Sequence, residues 1–211
     1  MQPMLTHWLA ADQRKKILLL RHGQIETATN EKRFIGQIDL PLSVVGKAQA
    51  AYWQSCLASL ALGSVVASPL SRCLETARIV TGGQCEIETI PGLREIGLGQ
   101  WEGVRVSEVK SRWADAYRQR GLDMAGFRPP DGESFLDLKK RVVPAFEAAV
   151  EKSDSPVLVV THAGVIRMLL CQILGMPTEN LFRISLGYGA LTLIDLNAGG
   201  YCVQALNLLP S

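Results

Sequence analysis

Two of the chain's three histidines stand in the same kind of place. His22 directly follows an apolar run at residues 17–20, and His162 closely follows another at residues 157–160. Short apolar runs bounded by polar residues read as buried strands. Both imidazoles would then lie at the carboxyl ends of parallel strands, where open α/β sheets place their ligands. Although far apart in sequence, they could meet in space. Arg21 precedes His22, and Gly23 follows it. A charged residue and a histidine at the end of a buried run are costly to desolvate without an ionic partner. A phosphate would be that partner, and Gly23 would let the backbone approach it. Arg72 adds a second guanidinium in the first turn of a helix opened by Ser68-Pro69, whose N-terminus itself favours anions. The planar fork of arginine matches two phosphate oxygens at once. Each residue alone has a plainer reading: a solvated strand end for Arg21 and His22, a surface ion pair with Glu75 for Arg72, a strand-end cap for His162. Their joint occurrence favours a compact anion pocket.

The elements that must position these residues alternate short apolar runs with longer helical patterns. That alternation favours an α/β fold with a largely parallel sheet. After the strand at residues 17–20 and a polar loop through Pro41, residues 43–60 read as a helix. Residues 63–67 read as a second strand and 85–90 as a third; between them lies a helix at 69–81, with Ser68 as N-cap and Pro69 at its first position. Residues 91–104 carry four glycines and read as a shaped loop, 106–119 as a helix, and 121–132 as a loop or lid. Ser134 and Asp137 have capping-box spacing at the start of an amphipathic helix with Phe135, Leu138, Val142, Phe146 and Ala149 on one face. The strand at 156–160 runs into Thr161-His162-Ala163-Gly164 and a helix to Leu174. Two β-like runs, 190–196 and 201–206, flank a hairpin turn. Residues 1–15 read as a loosely held arm containing His7, followed by a single domain over 16–211 whose lid spans about 104–133.

Composition narrows the function classes. With 211 residues, 47% of them hydrophobic and 20% charged, the chain is long enough to bury a sizeable core. A formal net charge of +2 gives no broad basic field for nucleic acid or membrane. Five widely spaced cysteines without a C-x-x-C pair argue against a disulfide scaffold or structural zinc and suit a reducing cytosol. The first residues carry neither a basic leader nor a long apolar run, so a signal peptide or membrane anchor is not expected. A cytoplasmic protein is the expectation, with a homodimer as a common default assembly.

LLLRHGQ resembles the L-x-R-H-G signature of the histidine phosphatase superfamily, which includes the cofactor-dependent phosphoglycerate mutases. RFIGQIDLPLSVVGKAQA, SPLSRCLETA, LREIGLGQWEG, PPDGESF and VTHAGVIR resemble later segments of that family, in order, over about residues 17–175. The resemblance implies a phosphoglycerate mutase-like three-layer α/β/α sandwich with a mostly parallel sheet and a small helical lid. It implies that His22 is the nucleophile, giving a phosphohistidine. Two nearby arginines would keep its imidazole neutral for attack. Arg21, Arg72 and His162 would hold the phosphoryl oxygens. Glu95 matches the general acid, protonating the leaving oxygen and then drawing a proton from water. Ala163 would offer a backbone N–H, and Ile35 and Gly36 lie where the substrate loop meets the site. Glu102 ranks below Glu95 as the acid, Trp101 reads as packing rather than substrate stacking, and Glu133 and Ser134 could touch substrate, although helix capping is the commoner job. No metal or cofactor is implied, since arginines and histidines supply the electrophilic role.

The chain departs from the pattern R-H-G-E/Q-T-x-x-N, reading RHGQIETATN: Ile25 replaces the threonine and Ala28 the phosphate-binding asparagine. A polar contact to phosphate would be lost, moved to Asn30, or supplied by Gln24 or Gln37. The short passage from the acid loop to the lid is similar to the phosphatase branch and unlike the longer mutases. Within that branch the altered loop and GQIDLPLS most resemble alpha-ribazole-5'-phosphate phosphatases of cobalamin nucleotide-loop assembly. The expectation is a phosphomonoesterase acting on a small-molecule phosphate ester, with a phosphoglycerate mutase or a catalytically silent phospho-ligand sensor as alternatives.

Overall fold

The apolar run before His22 is the centre of a longer strand. In the computed structural model, which describes residues 2–10, 14–27 and 31–210, Lys15–Arg21 forms β1. The further strands are β2 (Ser64–Ala67), β3 (Glu88–Thr89), β4 (Val157–Thr161), β5 (Leu191–Asn197) and β6 (Gly200–Leu208). They join in one sheet of order β3-β2-β4-β1-β5-β6. The first three pairings in that order are parallel, whereas β5 lies antiparallel to both β1 and β6. The expected hairpin thus closes the mixed edge of a mostly parallel sheet.

Successive strand side chains point to opposite faces, so a run that is apolar throughout must be covered on both. Ile17, Leu19, Val157 and Val159 pack on one side with helices α6 (Phe135–Lys152) and α7 (Ala163–Ile173). Leu18, Leu20, Leu158 and Val160 pack on the other with α2 (Val44–Leu57) and α3 (Ser71–Val80). This is the three-layer arrangement expected. Each fully buried Leu, Ile or Val contributes about 1.5–3 kcal/mol relative to exposure, so both faces hold the central strands firmly. The capping box at Ser134 and Asp137 is present and starts α6.

Four local readings are corrected. Gln2–Ala10 forms a helix, α1, in the stretch expected to be a loose arm. Leu5 is fully buried, and the Trp8 indole donates to Asp195 Oδ1 at 2.9 Å. That carboxylate also meets the buried Lys16 ammonium at 3.1 Å. The third strand shrinks to Glu88–Thr89. The helix expected at 106–119 is two, α4 (Val106–Arg112) and α5 (Ala114–Leu122), broken at Trp113. Finally, α3 is capped by Leu70 rather than Ser68, because the Ser68 hydroxyl is turned to His162.

Candidate active site

The register of β1 on β4 decides what meets. Arg21 pairs with Thr161, and the next residue on each strand is a histidine. The His22 N–H donates to the Thr161 carbonyl at 3.0 Å. The two imidazoles therefore leave adjacent strand ends, with ring centroids 5.2 Å apart and nearly edge to face. His22 Nδ1 lies 2.8 Å from the Gly23 carbonyl. A carbonyl can only accept, so Nδ1 carries the proton and the neutral ring keeps its lone pair at Nε2. His162 Nε2 lies 2.7 Å from Ser68 Oγ, and Cys73 Sγ packs against the same ring at 3.5 Å.

The two arginines are held from behind. The Arg21 guanidinium stacks 3.8 Å over the Tyr188 ring and donates to the Leu186 carbonyl at 2.8 Å. Arg72 is 1% exposed and donates to the carbonyls of Ile38 and Gly36 at 2.8 and 2.6 Å. It makes no ion pair with Glu75, which binds Lys47 instead. Arg21 Nε and Arg72 Nε are buried N–H groups without a protein partner. Unpaired buried donors are costly, and an anion would satisfy them.

Glu95 lies in the loop between β3 and α4. It is 8% exposed and lines a cavity of about 290 Å³ together with Arg21 and Ala163. Its carboxylate accepts the Ile96 and Gly164 N–H groups, both at 2.9 Å. A Cβ on Gly164 would lie 2.3 Å from Glu95 Oε1, so only glycine lets α7 start this close to the acid. Ala163 opens α7 and lines the cavity, so its own N–H has no partner within the helix and belongs to an anion-favouring terminus.

The remaining expected residues divide. Ile35 lines the cavity. Gly36 and Gln37 donate their N–H groups to Glu102 at 3.1 and 2.7 Å, and the Gln37 side chain donates to the Glu95 carbonyl at 3.0 Å. Gln37 therefore serves the loop. Gln24 lines a separate groove with Glu26, Leu42 and Val44. Asn30 and Ala28 lie outside the described residues. Gly23 is needed for packing: an added Cβ would meet the Gly46 carbonyl of α2 at 2.4 Å. Its N–H donates to Thr76 Oγ1 at 3.2 Å, not to the site. Glu102 accepts four backbone N–H groups and staples the loops of residues 36–38 and 98–102 together. Trp101 is fully buried against Phe34 and Phe127. Glu133 binds Arg141 through both oxygens.

Sequence reasoning missed Tyr188, Ser68 and three cavity arginines: Arg33, Arg120 and Arg167. Arg167 was findable, because it stands one helical turn after Ala163 on the same face. Nothing local marks Ser68 or Arg120.

Burial, reinforced by Arg21 and Arg72, holds the His22 imidazole well below the ordinary value of 6.5. His162 is held down by burial, then by His22, Arg72 and Arg21. Both rings are neutral in the folded protein while the unfolded chain still titrates near 6.5. Below that pH the unfolded state binds more protons, so stability is full above pH 6.5 and falls as the pH drops through it towards the lowered native values. Each unit of difference costs about 1.4 kcal/mol. The phosphate-free protein should therefore lose Tm between pH 7 and 5. The C–H resonances of both imidazoles should stay in their neutral positions over that range. Titration of either ring near 6.5 would refute this.

Paired neutral imidazoles and two guanidiniums at the carboxyl end of a parallel sheet, with a carboxylate across the cavity, define an α/β protein built to handle phosphate esters. Comparison with known proteins agrees. The model of the histidine phosphatase superfamily (branch 1) matches residues 17–209, and the chain belongs to that superfamily and is a phosphatase. It is 34% identical over 177 residues to the glucosyl-3-phosphoglycerate phosphatase of Mycolicibacterium vanbaalenii, covering 79% of this chain and 77% of that one. It is 29% identical over 195 residues to the adenosylcobalamin/alpha-ribazole phosphatase of Escherichia coli, covering 91% and 95%. The crystal structure of a putative alpha-ribazole-5'-P phosphatase from Escherichia coli superposes with a TM-score of 0.84 at 28% identity, covering 93% and 97%. The fold is accordingly the phosphoglycerate mutase-like one expected.

Proposed function

We propose that the protein is a metal-independent phosphomonoesterase that hydrolyses small-molecule phosphate esters through a phosphohistidine. The observation that carries this reading is the His22 tautomer: the Gly23 carbonyl takes the Nδ1 proton, leaving Nε2 as the free nucleophilic nitrogen. In the first step the Nε2 lone pair attacks phosphorus, and the bond to the leaving oxygen breaks. Arg21, Arg72 and His162 hold the other three oxygens, and the Ala163 N–H adds a donor. Glu95 gives its proton to the departing oxygen. In the second step water attacks phosphorus, Glu95 takes a proton from that water, and the P–N pair returns to Nε2. The silent-sensor alternative would normally show loss of the nucleophile or the acid, and His22 and Glu95 are both present.

The fixed positive groups do the work that a metal does in other phosphoryl-transfer sites. Among the described residues, no group of three or more His, Cys, Asp or Glu lies together as a metal site. Purified protein should hydrolyse 4-nitrophenyl phosphate at the same rate with or without excess chelator. Activity lost to chelator and restored by magnesium would overturn the mechanism. The reading places the enzyme in a reducing cytosol, in keeping with its five free cysteines. Among the described residues no helix is long and apolar enough to cross a membrane. Alpha-ribazole 5'-phosphate is the substrate candidate that the sequence resemblance suggests. It rests on the altered loop after Gly23 and on relatives bearing that name.

A further inference from the structure

Ser68 has no task in the mechanism above, yet it is fully buried and touches a ring that has one. Its place follows from the sheet. Ala67 pairs with Val160, and the Ser68 N–H donates to the Val160 carbonyl at 3.0 Å. That register sets the end of β2 beside the end of β4, where His162 stands. The Ser68 hydroxyl then reaches His162 Nε2 at 2.7 Å. Both side chains are 0% exposed, so the contact is shielded from water. The diverted hydroxyl leaves α3 without any side-chain cap, although its first turn holds Arg72.

A hydroxyl and an imidazole nitrogen can pair in either direction, and the surroundings decide which. Ser68 Oγ already accepts the Leu70 N–H, at 3.4 Å. Its proton needs an acceptor, and among the described residues His162 Nε2 is the nitrogen or oxygen that it meets. The nearby Cys73 thiol is kept protonated by burial and is a weak acceptor. Ser68 therefore donates and Nε2 accepts. A neutral ring has one proton left to place, and it lies on Nδ1. Nδ1 does not cap α7, and its contact among the described residues is Cys73 Sγ at 3.8 Å. This N–H is thus left for a ligand. His22 and His162 hold the proton on the same nitrogen, yet they offer opposite groups: a lone pair at Nε2 of His22, set by the Gly23 carbonyl, and an N–H at Nδ1 of His162, set by Ser68.

We propose that Ser68 is a positioning residue of the phosphate site: its hydroxyl fixes His162 in the Nδ1–H tautomer, so that a neutral imidazole presents a donor to a phosphoryl oxygen. This rests on the phosphatase reading and adds a residue to it. Ionised phosphoryl oxygens only accept hydrogen bonds. The opposite tautomer would turn a lone pair towards them, and the buried ring would then have to take up a proton before it could bind.

The test reads the tautomer directly. Long-range ¹H–¹⁵N correlation spectra of the phosphate-free protein at neutral pH distinguish a protonated ring nitrogen from an unprotonated one. In the wild type both His22 and His162 should hold the proton on Nδ1. In Ser68→Ala, His162 should pass to the Nε2–H tautomer or to a mixture, while His22, held by Gly23, stays as it is. Inorganic phosphate, titrated by calorimetry, should bind Ser68→Ala about tenfold or more weakly, since a hydrogen bond to a charged group is worth a factor of this order. Ser68→Thr, which keeps the hydroxyl, should return the tautomer and part of the affinity. A wild-type His162 with its proton on Nε2 would overturn the proposal, and that spectrum needs no variant to fold. A Ser68→Ala protein whose His162 keeps the proton on Nδ1 would overturn it too, even with weaker phosphate binding, because packing alone would then explain the loss. So would a changed tautomer with undiminished phosphate affinity. None of these readings needs turnover. The expected tautomers and affinities in a wild type that hydrolyses no ester would support the hold of Ser68 on His162 and overturn the phosphatase reading instead.

Discussion

Replacement of His22 by alanine is expected to abolish turnover, with a loss on the order of 10⁴-fold or more, while leaving phosphate binding in place. The reason is a division of labour visible in the geometry. Arg21 is fixed by Tyr188 and the Leu186 carbonyl, Arg72 by the carbonyls of Ile38 and Gly36, and His162 is packed against Ser68 and Cys73. The His22 ring packs against the His162 and Tyr188 rings, with centroids 5.2 and 5.7 Å away, but the hydrogen bonds that fix the two guanidiniums do not involve its side chain. The cradle should survive its removal, and only the nucleophilic nitrogen is lost. Brief incubation of the wild type with labelled ester, followed by denaturation, should trap phosphate on the protein in an acid-labile, alkali-stable linkage. The variant should trap none, yet still bind inorganic phosphate. A variant that continues to trap label would refute His22 as the nucleophile. His162→Ala is the informative companion: it should slow phosphoenzyme formation without preventing it, because its role is to hold oxygens and not to form the bond.

The site was legible where local sequence reports position. An apolar run marks a strand, and a polar residue right after it marks the strand's end; the parallel pairing of β1 with β4 then brings His22 and His162 together. The three layers follow from the same runs, which are apolar at every position and so demand cover on both faces. What could not be read depends on meetings between loops. Tyr188 reaches Arg21 only because the segment before β5 folds over the end of β1, where the Gly189 N–H donates to the His22 carbonyl. Ser68 looks like a helix cap in sequence, and the approach of His162 diverts it. Gly23 reads as room for a ligand, but the limiting contact is the Gly46 carbonyl. Arg120 and Arg118 are indistinguishable in a string of residues on a polar helix. Only the rotation of α5 over the cavity turns one inward. The N-terminal helix was missed because Leu5 and Trp8 are too few to make a pattern, although they are enough to dock it.

Glu95→Gln should separate the two halves of the reaction. A carboxyl that protonates the leaving oxygen matters most when that oxygen is a poor leaving group, so phosphorylation of His22 by an alkyl phosphate should slow by about 10²–10⁴-fold. With 4-nitrophenyl phosphate the departing phenolate needs little help, and the first turnover should remain fast. The second half differs, because every substrate yields the same phosphohistidine and water must lose a proton to be an effective nucleophile. The variant should therefore release one burst of 4-nitrophenol per site, stall, and accumulate phosphoenzyme. Rapid-mixing kinetics would show this directly. Equal first-turnover losses for alkyl and aryl esters would remove Glu95 from the acid role. Glutamine is not a silent change, since its amide would face the N–H groups of Ile96 and Gly164 that now serve the carboxylate. That strain lowers stability for all substrates alike, whereas the leaving-group dependence reports the proton. Glu102 offers the contrasting case: its oxygens are saturated by four backbone N–H groups from two loops. Glu102→Gln should loosen those loops and weaken all esters together, with no burst. A carboxylate that must trade a proton in each half-reaction needs access to the cavity, and of these two it is Glu95 that lines it.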